Sequence, residues 1–345
     1  MSKIDYFARE KEILEAVIRE YIRTGSPVGS RTVAANPEIN LSPASVRNVM
    51  SDLESRELLT QPHTSAGRVP TVCGMRFYLN SILTLEKLAT GKKEFIKKSL
   101  LESGPDFKAT LQQASKVLSS FSNQIAMIMS PAQRASVWKQ IDFILLKPGL
   151  VMSVLVLEGG LVCNRVIETE KDLSTDDLIR YGNYLNDNFQ GKTVAEIRAS
   201  IVRQLQNTRR KFEDLYQRAL HLAHGACEEA EDRELFVGGA TNLLNQDNLD
   251  ITQLRELLKL LEEKSRLLYL LDKTVKARDL RVSFAQDHGL KNISNYSFIS
   301  SPYGPEGNAV GTVGVVGPVN MNYSRLIPTV DLVAEILTQL FQKNS

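Results

Sequence analysis

The chain has 345 residues, 43% hydrophobic and 24% charged, a composition typical of folded proteins with ordinary cores. Its 42 basic and 40 acidic residues give a net charge of +2, so the overall charge neither requires nor excludes a nucleic-acid partner. The 3 cysteines are too few and too widely spaced for a disulfide framework or a zinc knuckle. No apolar stretch approaches the roughly 20 residues of a membrane span. We therefore expect a cytoplasmic protein without a membrane partner.

The N-terminal part has the pattern of three helices joined by short turns. Apolar residues at helical spacing predict helices over residues 4–24, 30–35 and 42–59. Ser42 is a residue type that caps helix N-termini, and Pro43 suits the first helical position, where its missing N–H costs nothing. Three short helices in this order predict a helix-turn-helix.

The third predicted helix has one apolar and one polar face. The apolar residues are Val46, Val49, Met50 and Leu53, and the opposite face carries Ser45, Arg47, Asn48 and Ser51. In a major groove, arginine hydrogen-bonds guanine and asparagine hydrogen-bonds adenine, so this face predicts base contacts. An ordinary solvated helix face would show the same pattern, and the residues alone leave that alternative open.

A hairpin is predicted directly after this helix. Residues 60–71 combine small polar residues with Pro62, Gly67 and Pro70, which is typical of the wing of a winged helix. The 28 residues over 58–85 contain no Asp or Glu, where the average composition would give about three. An acid-free hairpin suits approach to a polyanion, although chance depletion would give the same result.

The remainder of the chain mixes helix and strand signals. Predicted helices cover 71–88, 94–130, most of 175–234, 251–275 and 327–341, with a joint at 91–93. Predicted strands cover 141–146, 151–157, 161–167, 280–285, 296–300 and 309–316. The predicted fold class is therefore α+β.

One short motif suggests a nucleotide site. Residues 190–193 read QGKT, like the end of a phosphate-binding loop, but Asn186 stands where that pattern needs its first glycine, and the preceding segment is predicted to be helical. A nucleotide-dependent enzyme that uses Lys192 is an alternative, and it predicts ATP binding.

Other catalytic and metal signals are weak. His221, His224 and Cys227 cannot converge on one ion, because Cys227 lies roughly 120° around a helix from His221. No nucleophile elbow or catalytic triad is recognisable. We expect no enzyme activity, no cofactor and no metal.

Long motifs in the chain resemble one known family. Residues 21–32 read YIRTGSPVGSRT, 41–54 read LSPASVRNVMSDLE and 62–71 read PHTSAGRVPT; later blocks are FVGGATNLL at 236–244, SPYG at 301–304 and GVVGPVNMNYSRLIP at 314–328. These motifs are similar to those of the HrcA heat-inducible transcription repressor family, and they occur in order over nearly the whole chain.

The resemblance implies an architecture of three parts. It implies an N-terminal winged helix-turn-helix with a linker helix (residues 1–90), a GAF-like α/β domain (91–165 and 246–345) and an inserted, mostly helical dimerisation domain (166–245). The alternative function within this architecture is a ligand-sensing winged-helix regulator that uses its GAF-like domain.

The resemblance also implies function and partners. Such a protein would be a homodimer that represses chaperone operons by binding double-stranded DNA at an inverted-repeat operator called CIRCE, and the GroEL chaperonin would keep it active. The residues expected to contact DNA are Arg31, Ser42, Ser45, Arg47, Asn48 and Ser51 in the helices and His63, Thr64, Ser65 and Arg68 in the wing.

Overall fold

The structure is a computed structural model that describes residues 3–63, 66–104, 106–132, 136–169, 173–207, 214–227, 233–245, 251–277, 279–305 and 309–344. Its first elements are α1 (Lys3–Thr24), α2 (Ser30–Ala34), α3 (Pro43–Ser55), β1 (Leu59–Thr60), β2 (Val69–Pro70) and α4 (Val72–Ser81). The strands β1 and β2 pair antiparallel, so the predicted winged helix is confirmed. The predicted third helix was too long, because Glu57 adopts φ +59° and turns the chain into β1.

The helices that follow are α5 (Thr90–Leu101), α6 (Phe107–Ser122), α7 (Thr175–Phe189), α8 (Val194–Asn207), α9 (Asp214–Cys227), α10 (Ile251–Glu262), α11 (Lys264–Ala277) and α12 (Tyr323–Asn344). The strands are β3 (Ile125–Met129), β4 (Trp138–Lys147), β5 (Leu150–Leu157), β6 (Leu161–Glu168), β7 (Leu235–Gly238), β8 (Arg281–Phe284), β9 (Tyr296–Tyr303) and β10 (Gly311–Pro318). The predicted α+β class is confirmed.

The larger sheet has five antiparallel strands in the order β7-β3-β10-β9-β8. Helices α6 and α12 pack on one face and α11 on the other. Alternate residues of β10 therefore enter two cores: Val313 and Val315 lie with α6 and α12, while Val316 lies with Leu267 and Leu271 of α11. This is the layered arrangement expected of a GAF-like domain.

The smaller sheet has three antiparallel strands in the order β4-β5-β6. Helix α7 packs on β4, and α9 packs on β5 and β6. Burial alternates along β5, with Val151 and Leu155 facing the helices. One face of this sheet is thus covered by helices that follow it in the chain.

Further predicted helices were wrong in extent. The helix predicted over 94–130 is α5, α6 and the strand β3, whose run of buried apolar residues does not distinguish helix from strand. The predicted joint at 91–93 lies inside α5. The helix predicted over 251–275 is α10 and α11, separated at Glu263, and the helix predicted over 71–88 ends at Ser81.

Candidate nucleic-acid interface

Helix α3 is fixed at its start by a side-chain cap. The Ser42 hydroxyl accepts a hydrogen bond from the backbone N–H of Ser45 at 3.2 Å, and Pro43 occupies the first turn. The hydroxyls of Ser42 and Ser45 also lie 3.0 Å apart. Ser42 is therefore occupied as the N-cap of the helix, and a contact to DNA would come from its exposed edge.

The inner face of α3 is anchored in the core. Val46, Val49, Met50 and Leu53 are each at most 8% exposed, packed with α1 residues such as Ile13 and Val17. These four residues share one side of the helix, so the helix cannot rotate without exposing them. Their burial fixes which side chains point outward.

The outer face of α3 carries the predicted base-contacting residues. Ser45, Arg47, Asn48 and Ser51 are all exposed and span roughly 160° of the helix surface. Arg47 and Asn48 make no side-chain hydrogen bond or ion pair with another described residue. Their donors and acceptors are therefore available to an external partner with hydrogen-bonding groups, such as base edges.

The wing lies against the start of α2. Val28 and Arg68 exchange two backbone hydrogen bonds, each 2.9 Å long. A Cβ at Gly67 would lie 2.4 Å from the carbonyl of Val28, so only glycine permits this approach. Arg31 on α2 and His63 near the wing tip are exposed, whereas Thr64 and Ser65 lie outside the described residues.

Arg68, a predicted DNA contact, is paired with a carboxylate of the protein. Its Nη2 lies 2.8 Å from Oε2 of Glu54 and its Nε donates to the same oxygen at 3.0 Å, with only 15% of the Arg68 side chain exposed. The ion pair of Arg68 joins the wing to the end of α3.

Two further ion pairs of this region were not predicted. Arg56 at the end of α3 binds Glu10 of α1 at 2.9 Å, with Glu10 only 5% exposed. Arg76 of α4 binds Asp287, which lies 211 residues away in the chain. No periodicity or spacing could have identified either pair, because each depends on tertiary packing.

The QGKT segment lacks the amides that a phosphate loop presents. The N–H of Gly191 donates to the Trp138 carbonyl at 3.0 Å, and that of Lys192 to the Phe189 carbonyl at 3.1 Å. The Lys192 ammonium donates to the Asn188 carbonyl at 2.7 Å. Asn186 binds the backbone of Ile141, so the segment ends a helix and joins it to a strand.

The described part of the chain contains neither a metal-ligand cluster nor a membrane span. There, no group of three His, Cys, Asp or Glu side chains is placed to hold a metal ion. Likewise, no helix among those residues is both long and apolar enough to cross a bilayer.

A helix-turn-helix with an exposed polar face on its third helix and a two-stranded wing beside it defines a winged-helix DNA-binding regulator. A family model described as "HrcA protein C terminal domain" matches residues 108–327. Together with the relatives below, this match shows that the chain belongs to the HrcA family of heat-inducible transcription repressors.

The curated relatives are similar over almost their whole length. The heat-inducible transcription repressor HrcA of Syntrophobacter fumaroxidans is 37% identical, with 98% of each chain covered. That of Nitratidesulfovibrio vulgaris (strain DSM 19637 / Miyazaki F) is 40% identical, covering 97% of this chain and 96% of its own. A crystal structure described as a hypothetical protein at 2.2 Å resolution shares the fold, with a TM-score of 0.66, 23% identity and 98% and 99% coverage.

Proposed function

We propose that this protein is a dimeric repressor of heat-shock chaperone operons that binds the inverted-repeat operator CIRCE. The observation that carries the proposal is the outer face of α3, where Arg47 and Asn48 are exposed and unpaired among the described residues on a helix whose other face is buried. Two such helices related by a two-fold axis match the symmetry of an inverted repeat. Family membership supports the same reading.

The proposed DNA contacts fall into two groups. Ser45, Arg47, Asn48 and Ser51 would contact bases. Contacts to phosphate or the minor groove are proposed for Arg31, Ser42, His63, Thr64 and Ser65. Arg68 stays a proposed DNA contact, and we also propose that it positions the wing, because its guanidinium is bound to Glu54.

The test is a titration of labelled duplexes at one fixed salt concentration. The operator and a scrambled duplex of the same composition are compared, since electrostatic binding alone treats both alike. We expect the operator to bind at least about 10³-fold more tightly. Equal affinity for the two duplexes would refute sequence-specific repression.

The proposed homodimer is supported by an apolar surface on the smaller sheet. Ile144 and Val166 both lie opposite Met152 on the face not covered by α7 and α9, and they are 47% and 56% exposed. Leu146 and Val162 add two exposed apolar side chains, 47% and 55% exposed. Such a surface suits an interface between identical copies.

Light scattering tests the dimer. Val162→Lys with Val166→Lys is expected to give a monomer, because charges would be buried at the interface. The control is Gln342→Lys, on the exposed end of α12. A dimer that survives the double substitution would place the interface elsewhere.

The three-part division stays a proposal with altered limits. Sheet pairing joins β4, β5 and β6 to each other, and β7 pairs with β3 of the larger sheet. We therefore propose that the inserted dimerisation part begins before β4 and ends between α9 and β7, instead of covering 166–245.

The GroEL chaperonin is proposed to keep the repressor active. This proposal comes from the family. It requires that the dimer stays folded and able to bind DNA only while the chaperonin refolds it. Operator affinity is measured after mild heating, with and without chaperonin and ATP. We expect recovery only in the presence of both, and equal recovery in all samples would remove the chaperonin from the mechanism.

A further inference from the structure

Contacts at three places join the winged helix to the rest of the protein. After α1, Gly25 approaches Asn320 so closely that a Cβ would lie 3.0 Å from its Nδ2. Arg76 of α4 binds Asp287, and after α4 the hydroxyl of Ser324 donates to Glu86 at 2.6 Å. Contacts at these three places restrict rotation of the winged helix far more than one flexible linker would.

Asp287 is held from two sides. One carboxylate oxygen accepts the backbone N–H of Phe284 at 2.9 Å, and the other accepts from the Arg76 guanidinium. The Arg76 guanidinium also lies 5.8 Å from the centre of the Phe284 ring. Arg76 thus meets an anion and an aromatic face that are already fixed, which gives the contact a defined direction.

The carboxylate of Asp287 is ionised at neutral pH. Burial raises its pKa, but the hydrogen bonds from Phe284 and Arg76 and the nearby positive charges outweigh burial and hold the pKa below its usual value. The ion pair is consequently present under the conditions in which DNA is bound.

The space beside the contact between Glu86 and Ser324 is a crevice and not a packed core. Its volume is about 490 Å³, and it is lined by residues of α1, α4 and α12, including Arg19, Tyr78 and Tyr323. An open crevice leaves room for the winged helix to tilt. The angle between the winged helix and the larger sheet therefore depends on these polar contacts as well as on the apolar packing that joins the two parts.

We propose that the Arg76–Asp287 pair is a positioning contact that sets which half-site spacing the dimer accepts. The inference rests on the proposed binding of a dimer to an inverted repeat. In such a dimer the two α3 helices must meet major grooves at a fixed separation. If the winged helix tilts, the separation between the two α3 helices varies. This variation lowers the effective concentration of the second α3 helix at the second half-site, whereas binding of the first α3 helix to the first half-site is unaffected.

The test uses the full-length Asp287→Asn variant and three kinds of duplex: the operator, one isolated half-site, and operators with two base pairs added to or removed from the spacer. We expect about tenfold weaker binding to the operator, unchanged binding to the half-site, and a smaller penalty for the altered spacers. The exchange Arg76→Asp with Asp287→Arg should restore spacing discrimination. Equal losses on operator and half-site, or unchanged discrimination, would overturn the proposal.

A second measurement does not use DNA. Spin labels at Cys73 on α4 and at Lys343→Cys on α12, both exposed positions, report the distance between the winged helix and the larger sheet in a background with the other two cysteines replaced by serine. We expect Asp287→Asn to broaden a narrow distribution, and an unchanged distribution would overturn the positioning role. Failure of the proposed function would show differently, as a wild-type protein that does not distinguish operator from scrambled DNA.

Discussion

The guanidinium of Arg68 in the wing lies 2.8 Å from the carboxylate of Glu54 near the end of α3. This pair joins the two parts of the molecule that would meet DNA. It also adds a positioning role to the DNA contact predicted for Arg68.

Removing either partner should loosen the wing. Glu54→Gln and Arg68→Met are each expected to cost about 1–2 kcal/mol of local stability, since the pair is half-buried and charge-assisted. Hydrogen exchange of the β1 and β2 amides measures this cost, and the double variant should lose less than the sum of the two. Arg23→Gln, which breaks an exposed pair with Glu20, is the control and should change little. Strictly additive losses would show that the contact contributes nothing.

Substitutions on the outer face of α3 are expected to weaken binding to the operator and not to other DNA. Arg47→Ala and Asn48→Ala should each weaken operator binding by about 1–3 kcal/mol at the cognate base pair and leave scrambled DNA nearly unaffected. Anisotropy titrations of both duplexes provide the measurement. Lys343→Ala removes a distant exposed charge and should leave both affinities unchanged. If Arg47→Ala weakened both duplexes equally, Arg47 would be a phosphate contact.

The cap of α3 allows stability and DNA binding to be separated. Ser42→Ala should destabilise the first turn by about 1 kcal/mol, because the Ser45 N–H loses its acceptor. Ser42→Asp should restore the cap and still weaken DNA binding, since its carboxylate would repel phosphates. Hydrogen exchange of α3 and operator titration distinguish the two effects. Operator affinity that follows cap stability in both variants would show that Ser42 acts only as a cap.

The cysteines should differ in reactivity. Burial raises the pKa of Cys163 to about 11, so its reactive thiolate is scarce at neutral and mildly alkaline pH. At pH 8 we expect alkylation of Cys163 to be on the order of 100-fold slower than for a thiol of ordinary pKa and to accelerate as pH rises toward 11. Peptide mass spectrometry after timed iodoacetamide treatment measures this rate, with exposed Cys73 as the internal comparison. Equal rates at both cysteines would contradict the burial of Cys163.

Local patterns were enough to predict the winged helix. The Ser42-Pro43 start and the apolar residues Val46 and Leu53 specify a helix and its buried face without any long-range information. The outward direction of Arg47 and Asn48 follows from that face. The end of α3 was not predicted, because it depends on Glu57 adopting a left-handed conformation that the residue type disfavours.

Contacts between residues far apart in the chain could not be predicted from the sequence. Strand β3 was mistaken for helix because it is apolar on both faces and becomes a strand only by pairing with β10 and β7. The partners of Arg68 and Arg76 lie 14 and 211 residues away, so the pattern of neighbouring charges does not indicate them. All the proposed DNA contacts stay predictions, and Thr64 and Ser65 lie outside the described residues.

A nuclease footprint of the wild-type protein on a chaperone-operon promoter tests the central claim most directly. If two α3 helices read an inverted repeat, two symmetric protected segments should appear, centred a whole number of helical turns of about 10–10.5 base pairs apart. Arg47→Ala with Asn48→Ala should abolish both segments together. Uniform protection without preferred segments, or protection that survives the double substitution, would contradict the account.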